Sequence, residues 1–165
     1  MRRKIAEKQK KGDKMKILVD ADACPVVRQA VELAREYGVE IELFCDTNHV
    51  LTSDYAAVYT IGAGRDAVDL ALINHCRGGD IVLTQDYALA ALVLAKRGYA
   101  LNQNGFYYTQ ENIDGLLAER WESAKARRSK AKSHLKGPRK RSKEDDEKFR
   151  KALQSLLEKL SAEQE

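Results

Sequence analysis

Residues 16–38, KILVDADACPVVRQAVELAREYG, contain one complete strand–turn–helix unit. The apolar run at 16–20 predicts a short buried strand, which ends in two aspartates one residue apart, Asp20 and Asp22. Pro25 follows where a first helical turn would begin, and apolar residues then recur at helical spacing as far as Gly38, which predicts the helix end. A buried strand that ends in carboxylates and leads into a helix is typical of an α/β protein that places side chains in a site.

The same alternation continues along the chain. Strands are predicted at 39–45, 56–62, 78–84 and 99–101, and helices at 66–76 and 86–98. Strands separated by helices of about 10–15 residues form a parallel sheet that is covered by helices. The predicted fold is therefore a three-layer α/β/α domain with a central, mainly parallel sheet over residues 15–120.

The flanking segments have a different composition. Residues 1–14 are basic and predict a disordered extension, with Met15 as an alternative start. Residues 121–143 hold ten Lys/Arg and one acid, which predicts a linker or mobile basic arm. Residues 144–165 predict an amphipathic helix. Its apolar stripe, which must be buried against the body or in a homodimer, comprises Phe149, Leu153, Leu156, Leu157 and Leu160.

Charge and cysteine content limit the classes of protein. The net charge is +4, but residues 15–120 carry fifteen Asp/Glu and eight Lys/Arg, so an acidic body that attracts cations lies between basic flanks that attract polyanions. Three dispersed cysteines without a C-x-x-C pair suit the reducing cytoplasm. There is no secretory signal and no run of about 18 apolar residues, so we expect a cytoplasmic protein without a membrane span.

Five aspartates fall where a parallel sheet places its ligand site, at the carboxyl ends of the strands. Such a carboxylate cluster requires a cation, and oxygen ligands without Cys or His indicate Mg²⁺ or Mn²⁺ and not zinc. No phosphate-binding loop is present, so no nucleotide cofactor is expected. Helix capping is an alternative role for Asp22, Asp66 and Asp86. The predicted metal ligands are Asp20, Asp22, Asp66, Asp69 and Asp86.

His49 follows the second predicted strand and can approach this site. A loop histidine without a metal partner is most often structural, so it is not included among the predicted ligands. Asn48 beside it is the better candidate for a polar contact.

Four motifs, VDADACPV (19–26), GAGRDAVD (62–69), GDIVLTQDYALAA (79–91) and ALNQNG (100–105), resemble those of the YaiI/YqxD-like family of uncharacterised bacterial proteins. That family is similar to the PIN-like nuclease superfamily. The resemblance implies a PIN-like fold and metal-dependent phosphodiester hydrolysis, of RNA more than DNA, with Asp20, Asp69 and Asp86 as the catalytic ligands. Thr84 completes the T-x-D pattern. A further acid is usual near the last strand, where this chain offers Asn102 and Asn104.

Basic residues outside the acidic body are the predicted contacts to the nucleic-acid backbone, because an acidic pocket repels phosphates. The alternative role for this segment is a solubilising linker. Tyr107, Tyr108 and Trp121 are candidates for base stacking, with packing in the core or in an interface as their alternative role. The predicted backbone contacts are Arg127, Arg128, Lys130, Lys132, Arg139, Lys140 and Arg141.

Two rival functions remain open. The sequence DADAC also resembles the D-x-D-x-[TV] motif of haloacid-dehalogenase-type phosphatases, with Asp20 as the nucleophile and Asp22 as the general acid. That mechanism requires a lysine, and the body has only Lys16 and Lys96. The second rival, motivated by the absent last acid, is a non-catalytic PIN-like nucleic-acid-binding protein.

Overall fold

The computed structural model describes residues 14–62, 64, 66–129 and 139–164, and the side chains of 127–129 lie outside the described part. Most of the predicted basic extension lies outside it as well. The strands are β1 (Lys16–Asp20), β2 (Glu40–Asp46), β3 (Ala57–Ile61), β4 (Ile81–Leu83), β5 (Tyr99–Leu101) and β6 (Tyr107–Tyr108). The helices are α1 (Val27–Tyr37), α2 (Ala67–His75), α3 (Tyr87–Ala95), α4 (Gln110–Ser129) and α5 (Lys143–Glu163).

The strands form one sheet in the order β3-β2-β1-β4-β5-β6. The first five strands are parallel, and β6 pairs antiparallel with β5. This confirms the predicted α/β class with a mainly parallel sheet. The central position of β1 brings its carboxyl end next to those of β2 and β4.

Alternating residues of β1 point to two separate cores. Ile17 and Val19 pack in a cluster with residues of α1 and α5, whereas Leu18 packs in a second cluster with residues of α2, α3 and α4. All three side chains are fully buried, as expected for a parallel strand covered on both faces. The structure therefore has the three predicted layers.

The boundaries of α1 follow from its terminal residues. The helix begins at Val27, two residues after Pro25, so the predicted start was slightly early. Gly38 ends the helix in the left-handed conformation, with φ of 65°, and its N–H donates to the carbonyl of Arg35. Because a side chain at this φ is strained, the glycine provides the expected helix end.

Sequence analysis assigned no element to residues 102–120, where the structure has β6 and the first half of α4. The same helix continues to Ser129, so residues 121–129 of the predicted linker are helical, while 130–138 lie outside the described residues. The large apolar residues of this helix do not all face the core, since Ile113 is buried but Trp121 is 62% exposed. Hydrophobic periodicity therefore did not predict the helix.

Helix α5 packs against the body of its own chain. Ser142 accepts a hydrogen bond from the N–H of Asp145, and Asp145 accepts one in return from the N–H of Ser142, which forms a capping box. All five residues of the predicted apolar stripe are at most 6% exposed within the cluster on the α1 side of the sheet. The amphipathic helix is confirmed, and the stripe that motivated the homodimer prediction is covered in cis.

The two longest helices, α4 and α5, span 20 and 21 residues and carry many charged side chains. Within the described ranges, no helix combines the length and the apolar character that crossing a bilayer requires.

Candidate functional site

The carboxyl ends of β1, β2 and β4 lie side by side and form what we call the carboxyl edge. Asp20 is the last residue of β1, Asp46 is the last of β2, and Thr84 directly follows β4. The register pairs Asp20 with Phe44 and Val19 with Leu83, so these ends are level with one another. The sheet therefore brings carboxylates from separate segments of the chain to one place.

Asp20 is a partly buried carboxylate within this edge. It accepts a hydrogen bond of 3.0 Å from the hydroxyl of Thr84. Burial raises its pKa, the hydrogen bond from Thr84 opposes this shift, and the charges of Asp69, Asp22 and Asp86 add to it, so that the pKa of Asp20 is about 6. The predicted ligands on three segments thus act on one another electrostatically.

Asp69 and Asp66 stand at the start of α2. Burial raises the pKa of Asp69, and the charges of Asp86 and Asp66 add to this effect. Asp66 occupies the position before the first helical residue, but its side chain accepts no hydrogen bond from the first turn. Its predicted alternative role as a helix cap is therefore wrong.

Asp86 is both a helix cap and a member of the acidic group. Its Oδ1 accepts hydrogen bonds from the N–H groups of Ala88 and Leu89, at 2.9 and 3.3 Å, so its alternative role as the cap of α3 is confirmed. Its own N–H donates to the Thr84 hydroxyl at 3.0 Å. Thr84 therefore connects Asp86 to Asp20 and fixes the orientation of both.

Asp22 does not cap α1, which begins five residues later at Val27. Its carboxylate instead accepts the N–H of Asp46, at 3.1 and 3.3 Å, and lies 2.9 Å from Nδ1 of His49. The cap interpretation of Asp22 is thus wrong, because the turn after β1 directs its side chain toward the end of β2.

Asp22, Asp46 and His49 form what we call the Asp–His triplet. His49 Nδ1 lies 2.8 Å from Oδ1 of Asp46, and the ligand atoms of the three residues lie within 4.8 Å of one another. Hydrogen bonding to Asp46 raises the pKa of His49, and the same bond lowers that of Asp46. Among the described residues this is the set close enough to share one ion; the carboxylates of Asp20, Asp69 and Asp86 are not mutually as close.

Sequence reasoning missed Asp46 and treated His49 as structural. The available signal was the strand end itself, since Asp46 ends β2 just as Asp20 ends β1. The predicted polar contact from Asn48 is made by its backbone N–H, which donates to Asp46 at 2.9 Å.

The β5–β6 connection approaches Asp20 through Gln103. Gln103, Thr84 and Asp20 line a small cavity of about 10 Å³. Oε1 of Gln103 is buried, and no described residue donates a hydrogen bond to it. Asn102, the predicted polar contact, instead donates its amide to the hydroxyl of Tyr108 at 2.8 Å. Asn104 accepts a hydrogen bond from Arg141.

A larger cavity of about 550 Å³ opens in front of the carboxyl edge. We call it the acidic cavity. Helix α4 provides one wall, and Arg120 on that wall lies 3.5 Å from Oδ1 of Asp86. The lining residues are Asp20, Asp22, Ala23, Gln85, Asp86, Tyr87, Glu119, Arg120 and Ser123.

The predicted nucleic-acid contacts fall into three groups. Arg127 and Arg128 belong to α4, but their side chains, like all of Lys130 and Lys132, lie outside the described residues. Arg139 and Arg141 pair with Asp145 and Asp146 at the start of α5, at 2.8 and 2.7 Å. Lys140 is exposed, as is Trp121.

Comparison with known proteins matches residues 18–159 to the model of a family described as uncharacterised and bacterial, the YaiI/YqxD family. A UPF0178 protein of Clostridium acetobutylicum is 54% identical over 143 residues, which cover 87% of this chain and 97% of that protein. UPF0178 proteins of Clostridium kluyveri and Exiguobacterium sibiricum are 45% and 48% identical, also over 143 residues, which cover 93% and 96% of those proteins and 87% of this chain.

No solved structure matches the chain, so the similarity to PIN-like nucleases remains a prediction from the motifs. The matched range begins inside β1 and ends inside α5, and it includes both the acidic cavity and the Asp–His triplet. The chain therefore belongs to the YaiI/YqxD family of bacterial proteins, as its four motifs predicted.

Proposed function

We propose that this protein is a divalent-metal-dependent hydrolase of phosphodiesters, with RNA as a better substrate than DNA. The observation that carries the proposal is the acidic cavity, where Asp20, Asp22, Asp86 and Glu119 line one space. Burial, together with the charges of neighbouring aspartates, raises the pKa of Asp20 there to about 6. Carboxylates gathered in this way repel one another unless a cation is present.

The donor atoms at the carboxyl edge suit hard or intermediate divalent cations. Carboxylate oxygens are the preferred ligands of Mg²⁺ and Mn²⁺, and an imidazole nitrogen within a carboxylate set favours Mn²⁺ over Mg²⁺. Asp22 belongs to the Asp–His triplet and also lines the acidic cavity. We therefore assign Asp20 and Asp86 as ligands in the acidic cavity and the Asp–His triplet as a second ligand group. Asp69 does not line the cavity, and we assign it as a further ligand because its charge acts on Asp20 and is itself acted on by Asp86.

A bound divalent cation supplies polarisation of the scissile phosphate and a more acidic water. The chain holds the ligands in fixed orientations. Thr84 donates to Asp20 and accepts from the N–H of Asp86, while the first turn of α3 holds Asp86. Backbone N–H groups fix Asp22 and Asp46 in the same way. Side chains held by such outer contacts keep a ligand set organised before the ion arrives.

The phosphatase alternative requires a lysine next to Asp20. Lys16 pairs with Glu42 at 2.7 Å, and Lys96 donates to the carbonyls of Ile73 and Cys76. Neither lysine lines the acidic cavity. These contacts favour the metal-dependent hydrolase, and the phosphatase is kept as an outcome of the experiment.

The experiment compares turnover of single-stranded RNA, single-stranded DNA and p-nitrophenyl phosphate in Mn²⁺, in Mg²⁺ and in EDTA. We expect RNA cleavage in Mn²⁺ that is abolished by EDTA and by Asp20→Asn or Asp86→Asn. Asparagine retains the helix cap at Asp86, so that variant removes charge without removing the cap. The matched control is Asp54→Asn, an exposed carboxylate paired with Arg35, which should retain full activity.

Three outcomes would contradict the proposal. Turnover of p-nitrophenyl phosphate without RNA cleavage would indicate the phosphatase. Salt-dependent RNA binding that persists in EDTA, without cleavage in Mn²⁺, would indicate a non-catalytic binding protein. Equal Mn²⁺ affinity in wild type, Asp20→Asn and Asp86→Asn would remove the assigned ligands.

A further inference from the structure

We infer that Arg120 is the residue that binds the phosphate of the substrate, and that it exchanges Asp86 for that phosphate when a divalent cation is bound. This inference rests on the proposed function and extends it to recognition of the substrate. Among the described residues that line the acidic cavity, Arg120 is the basic one, and Asp20, Asp22, Asp86 and Glu119 are the acids. A phosphate that enters this cavity meets the guanidinium of Arg120 from the wall formed by α4.

The ion pair between Arg120 and Asp86 is weak. Its separation of 3.5 Å exceeds ordinary hydrogen-bond length, and the Arg120 side chain is 57% exposed. The same Oδ1 atom of Asp86 already accepts two N–H groups from the first turn of α3. Asp86 therefore gains little from Arg120, and the guanidinium is available to a stronger acceptor.

Arg141 is an arginine with a structural role and provides a comparison for Arg120. Its guanidinium makes three hydrogen bonds of 2.7–2.9 Å, to Asp146, Asn104 and the carbonyl of Gln103, and its side chain is 21% exposed. Within the described part of the chain, the guanidinium of Arg120 has one ion pair, with Asp86, and its side chain is more exposed than that of Arg141. A planar guanidinium with uncommitted N–H groups is suited to bidentate binding of a phosphate.

A cation and Arg120 compete for the same carboxylate. When a divalent ion binds next to Asp86, it reduces the attraction of that carboxylate for the guanidinium and repels the guanidinium directly. The substrate phosphate, drawn to the same ion, then offers Arg120 two oxygens in place of one shared carboxylate atom. Metal binding and phosphate binding are thereby coupled through one side chain.

The experiment uses the full chain and the variants Arg120→Gln, Arg120→Lys and Arg150→Gln. Arg150 is the matched control. It is a partly exposed arginine on α5 that pairs with Glu32 of α1 at 2.9 Å, and it does not line the acidic cavity. One arm measures Mn²⁺ affinity by electron paramagnetic resonance without substrate. The other measures binding of a short fluorescent phosphorothioate RNA, both in Mn²⁺ and in EDTA.

We expect Arg120→Gln to raise Mn²⁺ affinity about twofold to fivefold, since it removes the competing partner of an exposed ion pair. The same variant should lower RNA affinity in Mn²⁺ about tenfold, the loss of one charge-assisted hydrogen-bonding group. Arg120→Lys should restore wild-type Mn²⁺ affinity but only part of the RNA affinity. Arg150→Gln should change neither.

The two proposals fail in different ways. Unchanged RNA affinity in Arg120→Gln overturns the inference about Arg120, while Mn²⁺ binding and cleavage by the wild type would still support the proposed function. Reduced RNA affinity in Arg120→Gln without any cleavage by the wild type supports Arg120 as the phosphate contact and contradicts the hydrolase. An equal reduction in EDTA and in Mn²⁺ overturns the exchange with Asp86.

Discussion

Two aspartates, the partly buried Asp20 and the buried Asp80, lie at opposite ends of the same pair of strands. Asp20 ends β1 at the carboxyl edge, whereas Asp80 precedes β4 and lies beside the start of β1. Burial raises the pKa of both. Asp80 accepts N–H groups from Lys16 and Arg77, at 3.1 and 2.8 Å, whereas Asp20 accepts one hydroxyl, from Thr84.

This difference separates a structural carboxylate from a candidate ligand. At the amino end of the strands, each oxygen of Asp80 receives a fixed backbone donor, and these hydrogen bonds offset part of the cost of burial. At the carboxyl edge, Asp20 has other carboxylates among its neighbours, and its burial is compensated poorly. Substitutions of these two aspartates should therefore change stability in opposite directions.

Asp80→Ala should destabilise the protein by about 3 kcal/mol, because the N–H groups of Lys16 and Arg77 lose their acceptor in the interior. The measurement is chemical denaturation at neutral pH. Mn²⁺ affinity should stay at the wild-type value, since Asp80 is remote from the carboxyl edge. A loss below about 1 kcal/mol, or a weakened Mn²⁺ affinity, would show that the two aspartates do not differ in the way described.

Asp20→Asn should increase the free energy of unfolding, whereas Asp80→Ala decreases it. In EDTA at about pH 8, we expect the variant to be about 2 kcal/mol more stable than the wild type, because it removes a buried charge and keeps an acceptor for Thr84. The folded-state pKa of about 6 lies above the ordinary aspartate value of 3.8, so the charge penalty is complete above pH 6. It disappears as the pH falls through 6 toward 3.8.

The measurement for Asp20→Asn is the free energy of unfolding as a function of pH. The difference between variant and wild type should shrink toward acid, and Asp54→Asn serves as a control that shows no such trend. A variant that is less stable than the wild type at high pH would mean that the charge of Asp20 is compensated within the fold. Saturating Mn²⁺ should reverse the order by stabilising only the wild type.

The sequence was sufficient to predict one part of the carboxyl edge. Asp20 and Asp86 follow buried strands, and parallel strands bring such residues to one edge whatever the details of packing. Asp46 was missed through an error of one residue, because the second strand was predicted to end at Cys45 and in fact ends at Asp46. His49 was not predicted as a ligand, because its partners Asp22 and Asp46 approach it only when the turns after β1 and β2 lie side by side in the folded chain.

The wall of the acidic cavity could not be predicted in this way. Helix α4 is largely charged and carries no clear apolar stripe, so hydrophobic spacing did not reveal it. Its position depends on burial of Ile113 in the second core, which is a property of the folded chain. Gln103 is a similar case, since its proximity to Asp20 follows from the course of the β5–β6 connection.

Thr84→Val tests the hydroxyl that joins Asp20 to Asp86. We expect a loss of about 1.5 kcal/mol, because valine neither donates to Asp20 nor accepts the N–H of Asp86. The pKa of Asp20 should rise further, since the Thr84 hydrogen bond lowers it in the wild type. Chemical denaturation and NMR titration of the carboxyl group measure the two effects.

Thr84→Ser is the matched control, because it keeps the hydroxyl and should leave the pKa of Asp20 near its wild-type value. If valine and serine give the same pKa, the hydrogen bond does not orient or stabilise the Asp20 carboxylate. Position 84 would then contribute only through packing.

Asp145 extends the contrast to the start of α5 and gives the smallest expected effect. The backbone N–H of Ser142, with the guanidinium of Arg139, lowers the pKa of Asp145 to about 2. Because this folded-state pKa lies below the ordinary aspartate value of 3.8, the stabilisation is present above pH 3.8 and is lost as the pH falls toward 2. Lowering the pH therefore reduces the stability of the protein through Asp145, whereas it increases the stability through Asp20.

Arg139→Gln should shift the midpoint of acid unfolding by less than about 0.3 pH unit, since the Arg139 side chain is 72% exposed and an exposed ion pair contributes little. Asp145→Ala should shift it further, because it also removes the acceptor of the Ser142 N–H and with it the capping box. Circular dichroism during acid titration measures both shifts. Equal shifts in the two variants would mean that Arg139, and not the capping box, keeps Asp145 charged at the start of α5.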